Sequence, residues 1–175
     1  YNNYIGKTVT DFLFTVFHCY PYQDKLKLSY SVLTIPCRYI FNGKRLVYFG
    51  GGSPTYYQEP EFKALIAKLN KLFNFSKVKT FTVEIDPRRV EVDRLKFYHD
   101  CGANRLSFGI QDFDPDVQIR INRKQPPELL HKLMTPEIRK LFPVINFDLL
   151  IGLPSQTPET ISQTIKHVID LGPDQ

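Results

Sequence analysis

The sequence predicts an α/β fold, namely a partial parallel β/α barrel that is incomplete at both ends. Strand-like stretches alternate four times with stretches of helical periodicity, and polar residues collect where the predicted strands end. Strand–helix alternation of this kind implies parallel strands joined by right-handed crossovers. The strands are rich in Val, Ile, Leu and Phe, which favours strands covered on both faces. Four units are too few for a complete eight-fold barrel, and a doubly wound open sheet is the alternative.

Size and charge indicate one globular domain. The chain has 175 residues, of which 42% are hydrophobic and 14% aromatic, enough for a sizeable core. The net charge of +5 is mild and spread along the chain, which argues against a nucleic-acid partner. No apolar run is long enough to span a membrane. Three widely spaced cysteines argue against a disulfide framework and favour a reducing compartment, so a cytosolic or organelle-matrix protein is the default. Of these we expect a cytoplasmic protein, and we also expect a monomer.

The chain divides into a segment without a confident pattern, residues 1–45, and a regular region, residues 46–175. In the first segment, alternation over Leu26–Val32 is typical of a half-buried strand. The strands predicted in the second are Leu46–Phe49, Thr80–Ile85, Asn104–Ile110 and Val144–Ile151. The predicted helices are Glu59–Phe73, Val92–Cys101, Pro115–Ile121, Pro127–Leu141 and Pro158–Leu171.

Two of these helices show a clear apolar face, and the last has a start signal. The face of the first comprises Phe62, Leu65, Ile66, Leu69, Leu72 and Phe73; that of the last comprises Ile161, Ile165, Val168 and Ile169. Thr157 followed by Pro158 offers an N-cap and a proline at the first helical position. Gly172 closes that helix.

Polar residues follow each predicted strand. The first strand runs into Gly50-Gly51-Gly52-Ser53, where missing side chains would let a ligand approach the backbone, although such a run also forms ordinary turns. The later strands carry Glu84 and Asp86, then Gln111 and Asp112, then Asp148. Ligands of parallel β/α folds bind at the carboxyl ends of the strands. Agreement among four strand ends therefore predicts one shared binding site.

The acids in these strands need partners if they are buried. Glu84 and Asp148 are therefore either structural ion-pair partners or ligand-binding groups, and Arg123 and Arg105 are candidate counter-ions. Arg123 could hold a carboxylate through two parallel hydrogen bonds. The sequence shows no Ser–His–Asp set, no phosphate-binding lysine loop and no cysteine pair at metal-ligand spacing. No catalytic residue and no metal ligand are identified.

Five blocks of the chain together resemble the radical S-adenosylmethionine enzymes of the oxygen-independent coproporphyrinogen III oxidase family. The blocks are Tyr48–Thr55, Val83–Arg88, Gly102–Phe113, Ile121–Arg123 and Phe147–Pro154, with Gln156–Glu159 following the last. By this resemblance Gly51, Gly52, Ser53 and Glu84 would hold the amino and carboxylate groups of S-adenosylmethionine. Arg123 would pair with its carboxylate, and Gln111 and Asp148 would contact its ribose.

The resemblance also implies an activity, the oxidative decarboxylation of coproporphyrinogen III to protoporphyrinogen IX in haem biosynthesis. That oxidoreductase chemistry uses a [4Fe-4S] cluster held by cysteines in Cys-x3-Cys-x2-Cys spacing. The spacing does not occur in this sequence. We therefore expect a fragment or a degenerate form of the oxidase that is inactive as this chain alone. The alternatives are a cluster-less pseudoenzyme or haem- or porphyrin-binding protein, and a nucleotide-binding β/α enzyme that uses no radical.

Overall fold

The computed structural model describes residues 16–22, 25–31, 40–41, 44–72 and 75–175, with side chains from residue 46 onward apart from residue 76. Strands β1 (Val16–Tyr22) and β2 (Lys25–Ser31) form an antiparallel two-stranded sheet. The strand predicted from Leu26 is thereby confirmed. Its last residue, Val32, lies outside the described residues, as does Phe73 of the first predicted helix.

The second sheet has five strands in the order β3-β4-β5-β6-β7. The strands are β3 (Ile40–Phe41), β4 (Lys44–Phe49), β5 (Val78–Ile85), β6 (Arg105–Gln111) and β7 (Val144–Leu149). β3 runs antiparallel to β4, and the other four are parallel, as predicted. Each parallel strand lies beside its predecessor in the chain. That order is the order of a β/α barrel, whereas a doubly wound sheet reverses direction at a switch point.

Helices follow each of the four parallel strands. They are α1 (Glu59–Leu72), α2 (Val92–Asp100), α3 (Pro115–Arg120), α4 (Pro127–Leu133), α5 (Pro136–Leu141) and α6 (Pro158–Leu171). The predicted continuous helix Pro127–Leu141 is wrong, because it divides into α4 and α5. Thr135 caps α5 by accepting a hydrogen bond from the Ile138 N–H, and Pro136 occupies the first helical position. A proline there ends the preceding helix because its ring clashes with the turn before it.

The two faces of the parallel sheet differ in polarity. One face carries buried apolar side chains, including Phe49, Val83, Leu106 and Ile145, and contributes to the hydrophobic core. Alternation along each strand sends the intervening residues to the opposite face. That face carries Tyr48, Thr82, Glu84, Ser107, Asn146 and Asp148. The sheet thus buries one apolar face, while the other face is polar and includes the buried Thr82 and Ser107.

The apolar faces of two helices also differ in part from those predicted. In α1, Phe62, Ile66 and Leu69 are buried as expected, but Leu72 in the last turn is 67% exposed. In α6 the buried residues are Thr164 and Leu171, whereas Ile165 and Ile169 are exposed. The Thr164 hydroxyl donates to Asp112 and accepts from the Phe113 N–H. Ile161 and Val168 are partly buried, so part of the predicted apolar face packs inward and the rest faces solvent.

The ends of α6 form as the sequence predicts. Thr157 caps its first turn through a reciprocal pair of hydrogen bonds with Thr160, and Gly172 ends it in a left-handed conformation. None of the helices in the described ranges combines the length and apolar character required to cross a membrane.

Candidate binding site at the strand ends

A cavity of about 310 Å³ opens at the carboxyl ends of the four parallel strands. All seven residues predicted to form a cofactor site line it: Gly51, Gly52, Ser53, Glu84, Gln111, Arg123 and Asp148. Ile85, Asp86 and Gly109 complete the lining. The parallel topology brings these positions together although they are spread over about a hundred residues of chain. Their role in binding a ligand stays a prediction.

The glycine run after β4 makes room for the protein's own side chains. A Cβ at Gly50 would overlap the side chains of Glu84 and Tyr48. Gly51 has a φ of 81°, in the region that favours glycine, and its N–H donates to Glu84 Oε2 at 3.1 Å. Gly50 thus allows the close approach of Glu84, while Gly51, Gly52 and Ser53 form the wall of the cavity.

Glu84 and Asp148 lack the ion pairs that the sequence left open. Glu84 is half-buried and Asp148 is exposed. Within the described part of the chain, neither carboxylate lies within 4.0 Å of a charged Lys, Arg or His nitrogen. Of the two roles considered for these acids, the geometry favours ligand binding over structural ion pairing.

The ion-pair role belongs to Asp86, which sequence reasoning placed at the strand end without a separate function. Asp86 is 7% exposed and accepts hydrogen bonds from Arg88 Nε at 2.9 Å and Nη2 at 2.7 Å. Arg123 Nη2 lies 3.8 Å from its Oδ1. Burial acts to raise the pKa of Asp86, but the hydrogen bonds from Arg88 and the charge of Arg123 outweigh it and hold that pKa below its usual value.

Arg123 is held at the cavity wall by backbone and amide oxygens. Its Nη2 donates to the Gly109 carbonyl at 2.8 Å and its Nε donates to Gln125 Oε1 at 3.1 Å. Gln125 is fully buried and is itself fixed by Gln118, through hydrogen bonds of 2.9 Å in both directions. Burial lowers the pKa of Arg123, partly offset by Asp86, from a value at which the group is always charged. Its Nη1 has no hydrogen-bond partner among the described residues and is free for an anion.

Gln111 reaches the cavity through an unusual backbone conformation. Its φ is 66°, and the pairing of β6 with β7 shifts register between Gly109 and Gln111. Its side-chain nitrogen lies so close to Gly109 that a Cβ there would come within 2.9 Å. A left-handed conformation of a residue other than glycine costs free energy and is concentrated at functional sites.

Asp148 is oriented by two neighbours that the sequence analysis did not single out. Ser107 Oγ donates to Asp148 Oδ2 at 2.8 Å, and Asn146 Nδ2 donates to Oδ1 at 2.8 Å. Tyr48 has the same relation to Glu84, since its hydroxyl donates to Glu84 Oε1. The signal that could have found all three is alternation, because each shares a sheet face with the acid it contacts.

Two predicted polar positions have other roles. Arg105 begins β6 and therefore lies at the opposite end of the strand from the cavity, where it donates to Gln175 Oε1 at 2.6 Å. Its prediction as a counter-ion for the site acids is wrong. Asp112 is 1% exposed and accepts from the Thr164 hydroxyl at 2.7 Å and from Gln156 Nε2 at 2.5 Å. It holds α6 and the loop after β7 in place.

The cysteines of this chain do not fit an iron–sulfur cluster. Cys19, Cys37 and Cys101 are too far apart in sequence to form one compact ligand loop. Within the ranges that the structure describes, no group of three or more His, Cys, Asp or Glu side chains is arranged to hold a metal ion. Cys101 is a half-exposed free thiol, and burial raises its pKa.

Comparison with known proteins identifies relatives over most of the chain. A sequence model described as Radical SAM superfamily matches residues 37–168. The chain is 38% identical over 138 residues to oxygen-independent coproporphyrinogen III oxidase from Escherichia coli (strain K12), covering 78% of this chain and 30% of that protein. It is 39% identical over 129 residues to the protein of the same name from Helicobacter pylori (strain J99), covering 73% and 28%. The chain thus spans less than a third of the length of these curated relatives.

Solved structures support the relationship found by sequence comparison. Coproporphyrinogen III oxidase (HemN) from E. coli superposes with a TM-score of 0.65 at 37% identity, covering 74% of this chain and 31% of that chain. The radical S-adenosylmethionine methyltransferase TsrM from Kitasatospora setae gives a TM-score of 0.50 at 13% identity, covering 63% and 22%, a likeness of fold alone. The resemblance drawn from the sequence motifs is confirmed. The superfamily match over residues 37–168, on a sheet of four parallel strands in chain order, shows that this chain belongs to the radical SAM superfamily.

Proposed function

We propose that the cavity at the strand ends binds S-adenosylmethionine, and that the protein acts in oxygen-independent coproporphyrinogen III oxidation. The observation that carries this is the chemistry of the lining: two carboxylates without ion pairs to any described residue, one arginine and a glycine loop face one cavity. An amino acid with an attached nucleoside presents an ammonium, a carboxylate and a diol. Each of these groups has a matching partner in the lining.

The residues present fit the cofactor as follows. Glu84 and the oxygens of the glycine loop suit the ammonium, and Arg123, through its Nη1, suits the carboxylate. Asp148 and Gln111 suit the ribose hydroxyls. Asp86 helps to hold Arg123 in place, because it lies 3.8 Å from the guanidinium on the side of β5. Bound S-adenosylmethionine would supply a reactive sulfonium for redox chemistry; the role of this chain is to bind and orient it.

The oxidase activity rests on similarity to relatives of 31–39% identity that share this name. Their reaction includes a [4Fe-4S] cluster, and the cysteines of this chain do not fit it, so we derive no step through that group. A porphyrinogen substrate, a monomeric state and a cytoplasmic location belong to the same proposal. The first is supported by the relatives' names. The cytoplasmic location is supported by the widely spaced cysteines, which favour a reducing compartment.

Titration calorimetry with S-adenosylmethionine tests the proposal. The unmodified chain should bind it, and Arg123→Gln should weaken binding about thirtyfold, since a charge-assisted hydrogen bond is worth about 1.5–3 kcal/mol. Lys124→Gln is the matched control, because it removes a neighbouring exposed charge that does not line the cavity. It should leave affinity unchanged. Absence of binding by the unmodified chain, or equal losses in the two variants, would contradict the proposal.

A further inference from the structure

Of the three carboxylates that line the cavity, Glu84 and Asp148 share one feature: each has both oxygens engaged by neutral donors. Glu84 accepts from the Tyr48 hydroxyl on Oε1 and from the Gly51 N–H on Oε2. Asp148 accepts from Asn146 on Oδ1 and from Ser107 on Oδ2. Neither has a cationic partner among the described residues.

Strand register creates this arrangement. Glu84 of β5 lies opposite Ser107 of β6, and Ser107 lies opposite Asn146 of β7. Tyr48 of β4 lies opposite Thr82, two residues before Glu84 and therefore on the same face. The four parallel strands thus place one row of polar side chains directly beneath the cavity. Asn146 Nδ2 also donates to Ser107 Oγ at 2.8 Å, which ties the row together.

Neutral donors orient these carboxylates without cancelling their charge, which a lysine or arginine could not do. A cation would fix the carboxylate but cancel its charge, and it would compete with a ligand's ammonium. A hydroxyl or amide fixes the orientation and leaves the charge, and each carboxylate oxygen retains a second lone pair for the ligand. Burial, followed by the hydrogen bond to Glu84, raises the pKa of Tyr48 well above its usual value. The phenol therefore stays protonated and remains a donor.

We propose that Tyr48 is a positioning residue for Glu84, and that Asn146 with Ser107 plays the same part for Asp148. Each carboxylate is thereby held ready for its own end of the ligand, the ammonium for Glu84 and the ribose for Asp148. This inference rests on the proposed binding of S-adenosylmethionine. It adds the residues that set the affinity for each end.

Double-mutant cycles measured by calorimetry with S-adenosylmethionine test it. Tyr48→Phe keeps the ring and removes only the hydroxyl, so it should weaken binding about tenfold through the misplaced Glu84. If Tyr48 acts through Glu84, the double variant Tyr48→Phe/Glu84→Gln should bind no more weakly than Glu84→Gln alone. The second cycle pairs Asn146→Ala with Asp148→Asn and should show the same loss of additivity.

Three outcomes are distinguishable. If the unmodified chain does not bind S-adenosylmethionine, the proposed function fails and this inference fails with it. If it binds but Tyr48→Phe weakens binding equally with and without Glu84, Tyr48 has only a structural role and the inference alone is overturned. If Tyr48→Phe does not fold, as judged by circular dichroism, the Asn146 and Asp148 cycle decides. Additivity there would overturn the inference as well.

Discussion

Two groups of acids follow the parallel strands, and they differ in how much hydrogen-bonding capacity the fold consumes. Asp112 is buried, and its two oxygens accept from Thr164, from the Asp114 N–H and from Gln156. Glu84 and Asp148 border a cavity, form no ion pair with the described residues and retain lone pairs. The comparison teaches that an acid at a strand end does not identify a site by itself. A site is identified by an acid that borders a cavity and whose carboxylate oxygens retain hydrogen-bonding capacity.

The strongest test of this comparison is truncation of each kind of acid. Asp112→Ala leaves three donors without their acceptor in a buried place and should lower the free energy of unfolding by about 3 kcal/mol. Asp148→Ala should cost less, about 1 kcal/mol, because Asp148 is exposed and only two donors, Ser107 and Asn146, lose their acceptor. Urea denaturation followed by circular dichroism measures both. Equal losses of stability would remove the distinction between the two groups.

Asp86 combines features of both groups, since it lines the cavity yet is paired with arginines. The dependence of the protein's stability on pH should show this pairing. Its pKa in the folded protein is lowered below the value of about 3.9 expected for an unfolded chain. A lowered folded-state pKa gives stability that is fully present above the unfolded pKa and is lost as the pH falls through the folded one. Asp86→Asn should therefore be less stable than the unmodified protein at pH 7, and the difference should shrink below pH 4.

We expect the loss for Asp86→Asn at pH 7 to be smaller than that for Asp112→Ala. The side chains of Arg88 and Arg89 are 31% and 46% exposed and can turn to water when the acid is removed. Urea midpoints between pH 3 and pH 7 measure the effect. A stability difference that stays constant over that range would show that the charge of Asp86 does not stabilise the fold.

The smallest effect is expected at Gln111. Because its backbone is left-handed, a substitution there can distinguish backbone strain from the contribution of the side chain to binding. Gln111→Gly relieves the strain but adds freedom to the unfolded chain, so stability should change by less than about 1 kcal/mol. Affinity for S-adenosylmethionine should nevertheless fall about fivefold, because the side chain is lost. Ser155→Gly is the control: Ser155 has a φ of 68° but lies outside the cavity. Binding that falls equally in both variants would assign the effect to the backbone.

Much of the architecture could be predicted because it depends on local patterns. Alternation of strands and helices predicts the parallel sheet, and a capping threonine before a proline predicts the start of α6 at Pro158. The same signal at Thr135 and Pro136 marks the start of α5, but the apolar spacing across it predicted one long helix instead. The local stop signal was stronger than the periodicity, since proline cannot continue a helix without losing a hydrogen bond.

The residues that line the cavity could be predicted from their positions at the strand ends, but the hydrogen bonds that orient them could not. All seven predicted residues line the cavity because strand ends meet at one edge of the sheet. The roles of Tyr48, Asn146 and Ser107 depend on the register between strands, which no local pattern specifies. Arg105 differs from its prediction for a related reason: it is the first residue of β6 and therefore lies at the end of the strand away from the cavity. The burial of Thr164 beside the exposed Ile165 involves tertiary contacts to Asp112 and Phe113, which the helical period does not reveal.

The alignment of Glu84, Ser107 and Asn146 across three strands also limits which changes of chain length the protein can tolerate. Inserting or deleting one residue inside β5, β6 or β7 would turn the polar side chain of that strand into the apolar core and expose an apolar one. Two-residue changes would restore the face but move the side chain about 7 Å along the strand. Length variation among functional relatives is therefore expected in the loops, while these strands keep a fixed number of residues.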